Sequence, residues 1–81
     1  MRLTVLIRPK TGILDPQGEA VQASLATLGF TVTRARVGRL VDLEVAGEDA
    51  AAARAEVERM CAELLANPLI ESFEVVVEDR A

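Results

Sequence analysis

The stretch FTVTRARVGRLVDLEVA, residues 30–46, decides the fold. Its second half alternates: Val41, Leu43 and Val45 share one parity, and Leu40, Asp42 and Glu44 share the other. Period two from Arg39 to Ala46 predicts a strand. Phe30 to Val37 predicts another, with a slip of phase, because Phe30 and Val32 lie on one parity and Ala35 and Val37 on the other. A bulge or twist near Thr33–Arg34 accounts for the slip. Gly38 breaks the run, and two strands parted by little more than a glycine read as a tight hairpin.

A helix flanks this pair on each side. Before it, Asp15 suits an N-cap and Pro16 the first helical position, where its missing N–H is no loss. Val21, Leu25 and Leu28 recur at i, i+4 and i+7, one face of a helix of about three to four turns. Gly29 is placed to end that helix. After the pair, Gly47-Glu48-Asp49 opens a second helix whose acidic first turn suits the positive end of the helix dipole. Its apolar stripe is Ala53, Val57, Met60, Cys61, Leu64 and Leu65, and Asn67-Pro68 stops it. At the N-terminal end, Leu3, Val5 and Ile7 alternate with Thr4, Leu6 and Arg8 in a strand that Pro9 closes. At the other end, Phe73, Val75 and Val77 alternate with Glu74, Val76 and Glu78. The order strand, helix, strand, strand, helix, strand predicts an α+β, ferredoxin-like βαββαβ two-layer sandwich, with two helices on one face of an antiparallel sheet.

The 81 residues make one domain, 1–81. A chain of this size buries only about 60–65% of its unfolded surface, and self-association is a common remedy. The uncovered sheet face is expected to carry Thr4, Leu6, Leu40 and Val76. Three aliphatics on an open face point to a second copy as the cover, in a sheet-to-sheet or edge-paired homodimer.

Hydrophobic residues make up 51% of the chain, which excludes a disordered tail. Only Phe30 and Phe73 are aromatic, so Val, Leu, Ile and Ala must build the core. A net charge of −4 repels phosphate backbones and argues against nucleic-acid binding. No apolar run approaches the roughly 20 residues of a membrane span, and the first residues alternate like a strand rather than a signal peptide. Cytoplasmic residence is the expectation. Arginine outnumbers the single Lys10, a bias compatible with a thermophilic or GC-rich source.

Histidine is absent, which excludes histidine-based triads and the commonest metal sites. Cys61 falls in the apolar stripe of the second helix and reads as a buried small hydrophobe. The glycines are scattered and form no phosphate loop. Asp42 and Glu44 share a strand face and read as solvated. Glu56, Glu58 and Glu63 interleave with Arg54 and Arg59 as helix-surface ion pairs. No catalytic, cofactor-binding or metal-ligating residue is expected.

Two stretches are more specific than a scaffold needs. In Gly12-Ile13-Leu14-Asp15-Pro16-Gln17-Gly18, the last glycine sits in the first helical turn, where it costs up to about 1 kcal/mol against alanine. Close approach of another backbone would account for it. Arg34, Arg36 and Arg39 around Gly38 form a basic patch on an acidic chain, either a solvated hairpin or a docking surface for carboxylates or phosphates.

These stretches resemble the PurS family. The resembling residues are Leu14-Asp15-Pro16-Gln17-Gly18 with Ala20-Val21, then Val37-Gly38-Arg39, then the run Cys61 to Glu71 (CAELLANPLIE). The likeness covers essentially the whole chain; Arg39 and Leu69 stand where the family commonly has Lys and Val. It implies the small subunit of phosphoribosylformylglycinamidine (FGAM) synthase, an ATP-consuming, glutamine-dependent ligase of purine biosynthesis. On that resemblance the chain is a dimer, possibly a tetramer, that bridges the large synthetase subunit PurL and the glutaminase subunit PurQ and supports ammonia transfer between them. ATP and Mg would sit on the large subunit. The implied contact residues are Asp15, Pro16, Gln17 and Gly18 at the first helix start, Arg36, Gly38 and Arg39 at the hairpin corner, and Asn67 and Pro68 at the last turn. A competing expectation from the topology is an ACT-like small-molecule-binding module. An RNA-binding domain of this topology is disfavoured, since its first and third strands would need stacking aromatics.

Overall fold

Leu3, Val5 and Ile7 are at most 1% exposed, and the strand that carries them, β1 (Arg2–Pro9), is the centre of the sheet. The computed structural model that shows this describes residues 1–78. Two strands flank β1, both antiparallel to it: β2 (Arg39–Glu44) and β3 (Glu71–Glu78), in the order β2-β1-β3. Leu3 lies opposite Leu43 and Val77, and Val5 opposite Val41 and Val75. The alternation read from the sequence therefore puts one apolar row from each strand on one face.

The helix α2 (Ala50–Met60) covers that face and widens at its end into a π-helical turn, Cys61–Leu65. Asp49 caps it, Oδ1 accepting from the amides of Ala51 and Ala52 at 3.0 and 3.2 Å. Ala53, Val57 and Cys61, four residues apart, form the buried seam against the sheet. Leu64 departs from the expected stripe and is 83% exposed. The wider turn rotates it off the seam, and Ala66 takes the core position beyond it. Arg54, on α2, donates to the Val75 carbonyl of β3 at 2.9 Å.

The first helix, α1 (Pro16–Thr27), starts at Asp15 and ends before Gly29, which has φ +96°, as expected. Its position differs from the expectation. Packing between elements runs from β1 to its two neighbours and from α2 to its π-helical turn and β3, and α1 takes part in none of these interfaces. Val21 and Leu28, expected in the core, are exposed. The only buried residue of α1 is Gly18.

The segment Phe30 to Val37 also differs. It pairs with no strand among the described residues. A two-residue hairpin turn needs a positive φ at one or both central residues. Neither Val37 nor Gly38 has one, so the chain runs straight on from this segment into β2. The segment lies along α1 instead: Gln22 Nε2 donates to the carbonyls of Val32 and Thr33, at 3.1 and 3.2 Å. Helix and segment together form an arm projecting from the sheet. The radius of gyration is accordingly 15.8 Å, against about 12 Å for a compact chain of this length, and the molecule measures 48 × 29 × 14 Å. The antiparallel sheet and its two helices stand and are consistent with a βαββαβ arrangement, but among the described residues the sheet has three strands, the second expected strand is not formed, and α1 does not lie over the sheet.

Candidate functional site: a protein-contact surface

β1 ends at Pro9, β2 begins at Arg39 and β3 begins at Glu71, and the register brings all three to one end of the sheet. The three motifs of the sequence meet there.

Asp15 is the first fixed point. Its Oδ1 accepts from Gly18 N at 3.0 Å, the N-cap bond, and its Oδ2 accepts from Val37 N at 2.8 Å. These amide bonds, Val37 first and then Gly18, hold the carboxyl below its ordinary value against a smaller opposing effect of desolvation; the nearby Arg36 charge adds to the lowering. Gly18 is glycine because of the same junction: a Cβ there would stand 2.4 Å from the Ala35 carbonyl oxygen. The close backbone approach expected from the sequence is thus supplied by the chain itself. Gly38 repeats the device, since a Cβ would stand 2.2 Å from the Ile7 carbonyl oxygen. Pro16 and Gln17 are exposed on the first turn of α1.

Arg39 is the second fixed point. Its Nη1 donates to Glu71 Oε2 at 2.6 Å, and its Nη2 donates to Glu71 Oε1 at 3.0 Å and to the Leu65 carbonyl at 2.7 Å. Glu71 Oε1 also accepts from Asn67 N at 2.7 Å. The Arg39 bonds first, then the Asn67 amide, hold Glu71 below its ordinary value. Asn67 turns the chain: its Oδ1 accepts from Leu69 N, and its carbonyl accepts from Ile70 N and Glu71 N. The Pro68 carbonyl accepts from Lys10 Nζ at 2.6 Å. Arg36 donates to the Pro9 carbonyl. The guanidinium groups of Arg36 and Arg39 are therefore both engaged with the chain itself, and Arg34 is the arginine of the basic patch that has no hydrogen bond among the described residues.

Three leucines stand exposed among the polar residues of this end. Leu14, 72% exposed, borders a shallow depression lined by Gly38, Arg39 and Glu71; Leu64, 83% exposed, borders a second, lined by Arg39, Asn67 and Glu71; Leu69 is 83% exposed outside both. Sequence reasoning missed Leu64 and Leu69 as surface residues. The available signal was their position inside the third motif; periodicity had put Leu64 in the helix stripe and made no assignment for Leu69.

The open sheet face carries the other expected cluster. Leu6 is paired with Leu40, and Thr4 with Val76, so all four lie on the face opposite α2. Leu40 and Val76 are exposed. Thr4 is buried, with Oγ1 2.8 Å from Asp42 Oδ1 and 3.0 Å from Glu78 Oε2. Ion pairs Arg2–Glu78 and Arg8–Glu74, at 3.7 and 3.8 Å, make the rest of the face polar. Among the described residues no cluster of three or more acidic or cysteine side chains is placed to hold a metal, and no helix is long and apolar enough to cross a membrane. Burial pushes the Cys61 thiol up, with Glu58 adding to the effect.

Fold and site define a small α+β chain whose distinctive residues converge on one end of the sheet and bond chiefly to one another. The model of the family described as "PurS: Phosphoribosylformylglycinamidine (FGAM) synthase" matches residues 2–79. The chain is 40% identical over 78 residues to the PurS subunit of Methanocaldococcus jannaschii, covering 95% of this chain and 94% of that one. It is 34% identical over 79 residues to the PurS subunit of Bacillus subtilis, covering 96% and 93%. In structure it is similar to M. jannaschii PurS (TM-score 0.85, 37% identity, 99% and 98% of the two chains). It is similar also to a chain of the PurLQS structure from Thermotoga maritima (TM-score 0.85, 32% identity, 93% of each). The chain belongs to the PurS family, the small subunit of phosphoribosylformylglycinamidine synthase.

Proposed function

We propose that residues 1–81 act as one unit in a multi-chain phosphoribosylformylglycinamidine synthase, joining the large synthetase subunit PurL to the glutaminase subunit PurQ and supporting ammonia transfer between them. The convergence of the three motifs on one end of the sheet is the observation that carries this reading. Asp15, Gly18, Gly38, Arg39 and Asn67 set the shape of that end through bonds within the chain. Pro16, Gln17, Arg36 and Pro68 complete its surface, and the apolar Leu14, Leu64 and Leu69 supply contact area. The open-face residues Thr4, Leu6, Leu40 and Val76 form a second, smaller contact area, available to a homodimer or a tetramer.

The chemistry belongs to the partner chains in this reading. ATP and Mg are held by the large subunit, and the assembly works in the cytoplasm. A T. maritima structure of the three components together supports the assembly. The ACT-like alternative is not favoured, because the motifs are engaged in shaping a surface rather than a ligand pocket.

The test uses residues that hold nothing else in place. Leu64→Asp with Leu69→Asp should leave the chain folded and reduce glutamine-dependent turnover of the reconstituted three-component enzyme at least about tenfold, with ammonia-dependent turnover spared. Unchanged glutamine-dependent turnover at limiting concentration of this chain would remove the contact role from this end.

A further inference from the structure

We infer that a depression on the open sheet face, at the end where the three motifs meet, binds a phosphate monoester: Arg8 and Arg36 hold the phosphate, and Leu6 and Leu40 lie against the organic part. The depression is about 440 Å³ and sits where the pairing of β1 with β2 ends. Pro9 and Gly38 complete its wall, and no carboxylate lines it.

The two guanidinium groups keep donors in hand. Arg8 makes no side-chain hydrogen bond among the described residues, and its ion pair with Glu74, at 3.8 Å between side chains more than half exposed, is worth little. Arg36 donates to the Pro9 carbonyl. A carbonyl orients a guanidinium without neutralising it, and the other N–H groups of Arg36 have no partner among the described residues. The carboxylate near Arg36 is Asp15, whose two oxygens are taken by the amides of Gly18 and Val37. Arg39 borders the depression as well, but its guanidinium is bound to Glu71 and to the Leu65 carbonyl, so it has no part in the site. The planar fork of arginine matches phosphate oxygens, and two forks balance a dianion. A carboxylate, with a single negative charge, would leave one of them uncompensated. The net charge of −4 does not oppose this, because solvent ions screen the distant carboxylates and the nearest groups set the field.

The rest of the lining favours an ester over free phosphate. Leu6 lies opposite Leu40 in the register, and Leu40 is 56% exposed. Gly38 stands between Arg36 and Leu40 along the chain and adds no side chain to fill the space. It is held so close to β1 that a Cβ would stand 2.2 Å from the Ile7 carbonyl oxygen and 3.3 Å from Arg8 Cα. An aliphatic wall beside a charged pair gives the carbon-bearing half of an ester apolar surface to cover.

Calorimetric titration of the full chain with ribose 5-phosphate tests this, with inorganic phosphate at equal ionic strength beside it. Ribose 5-phosphate should bind at least about fivefold tighter than inorganic phosphate, through the sugar's contact with the leucines. Arg8→Gln should weaken that binding at least about tenfold, the loss of a charged hydrogen bond. Arg34→Gln removes the same charge outside the depression and should change the affinity by less than about twofold. Absence of saturable binding, equal affinity for inorganic phosphate, or an equal loss in Arg34→Gln overturns the site. Should Arg8→Gln fail to fold, amide NMR shifts of the unmodified chain decide. Ribose 5-phosphate is expected to move the amides of Arg8, Gly38 and Leu40, and a titration that leaves these in place overturns the site.

Discussion

Arg39 grips Glu71 with both terminal nitrogens, at 2.6 and 3.0 Å, and so ties the first residue of β2 to the first residue of β3 across β1. The same guanidinium reaches the Leu65 carbonyl at the end of the π-helical turn. One side chain thereby joins two of the three motifs. A double-mutant cycle on Arg39→Ala and Glu71→Gln should return a coupling of about 0.5–1 kcal/mol in urea unfolding, the range for a partly exposed pair with bidentate geometry. Additive losses would mean that the two side chains act separately. Arg39→Glu is for the same reason a poor probe of partner docking, since it sets a carboxylate against Glu71.

Acid should loosen the motif-bearing end before it unfolds the core. Asp15 and Glu71 are both held below their ordinary values, 3.8 and 4.5, in the folded chain. The unfolded chain then takes up protons more readily, so stability is full above those values and falls as pH drops through them and below. Urea midpoints measured from about pH 6 to about pH 3 should fall less steeply in Asp15→Asn than in the unmodified chain. Parallel slopes would show that the Val37 and Gly18 amides do not discriminate between the charged and neutral carboxyl.

Gly18→Ala sets two effects against each other. Helix propensity favours alanine by up to about 1 kcal/mol. The new Cβ, however, would stand 2.4 Å from a backbone oxygen, which cannot rotate away as a side chain can. Overpacking of this kind costs about 1–3 kcal/mol, so net destabilisation is expected. The readout is the thermal midpoint, and a raised midpoint would place Ala35 further from α1 than described.

Burial makes opposite forecasts for two leucines, Leu3 in β1 and Leu64 in the π-helical turn. Leu3→Ala removes a side chain with no exposure and should cost about 2–5 kcal/mol. Leu64→Ala, at 83% exposure, should change stability by less than about 0.5 kcal/mol. Cys61, buried on the seam with its thiol pushed up, should resist a thiol reagent until the chain unfolds. Rapid labelling in the folded chain would contradict the seam.

The parts of the fold legible in the sequence were those set by local rules. Alternation found all three paired strands because each turns one apolar row towards α2; capping chemistry found the first helix start at Asp15, while the acidic residues read as the first turn of the second helix precede it, with Asp49 as its cap. Asp15, Gly18 and Gly38 stood out because each satisfies a backbone demand that few residue types can meet. What pattern could not show was where an amphipathic element finds its cover. Val21, Leu25 and Leu28 read as a core face, and periodicity is silent on which chain the core belongs to. Leu64 was misplaced for a related reason: a π-helical turn changes the period, and the apolar residues around it do not announce the change. The arginines looked free because charge reads as solvent-facing, whereas Arg36 and Arg39 spend their donors on carbonyls and on Glu71.

The arm is bonded to itself along its length, through Asp15 to Val37, Gly18 against Ala35, and Gln22 to Val32 and Thr33. Its ties to the body are confined to its base. Mechanically that is a stiff lever with its fulcrum at Pro9 and Gly38, where Arg36 and Arg39 also sit. A load on the distal end, around Leu28 and Phe30, is delivered as torque at the base, beside the turn at Asn67 and Pro68. A contact made far out on the arm would bear on the residues that shape this end of the sheet.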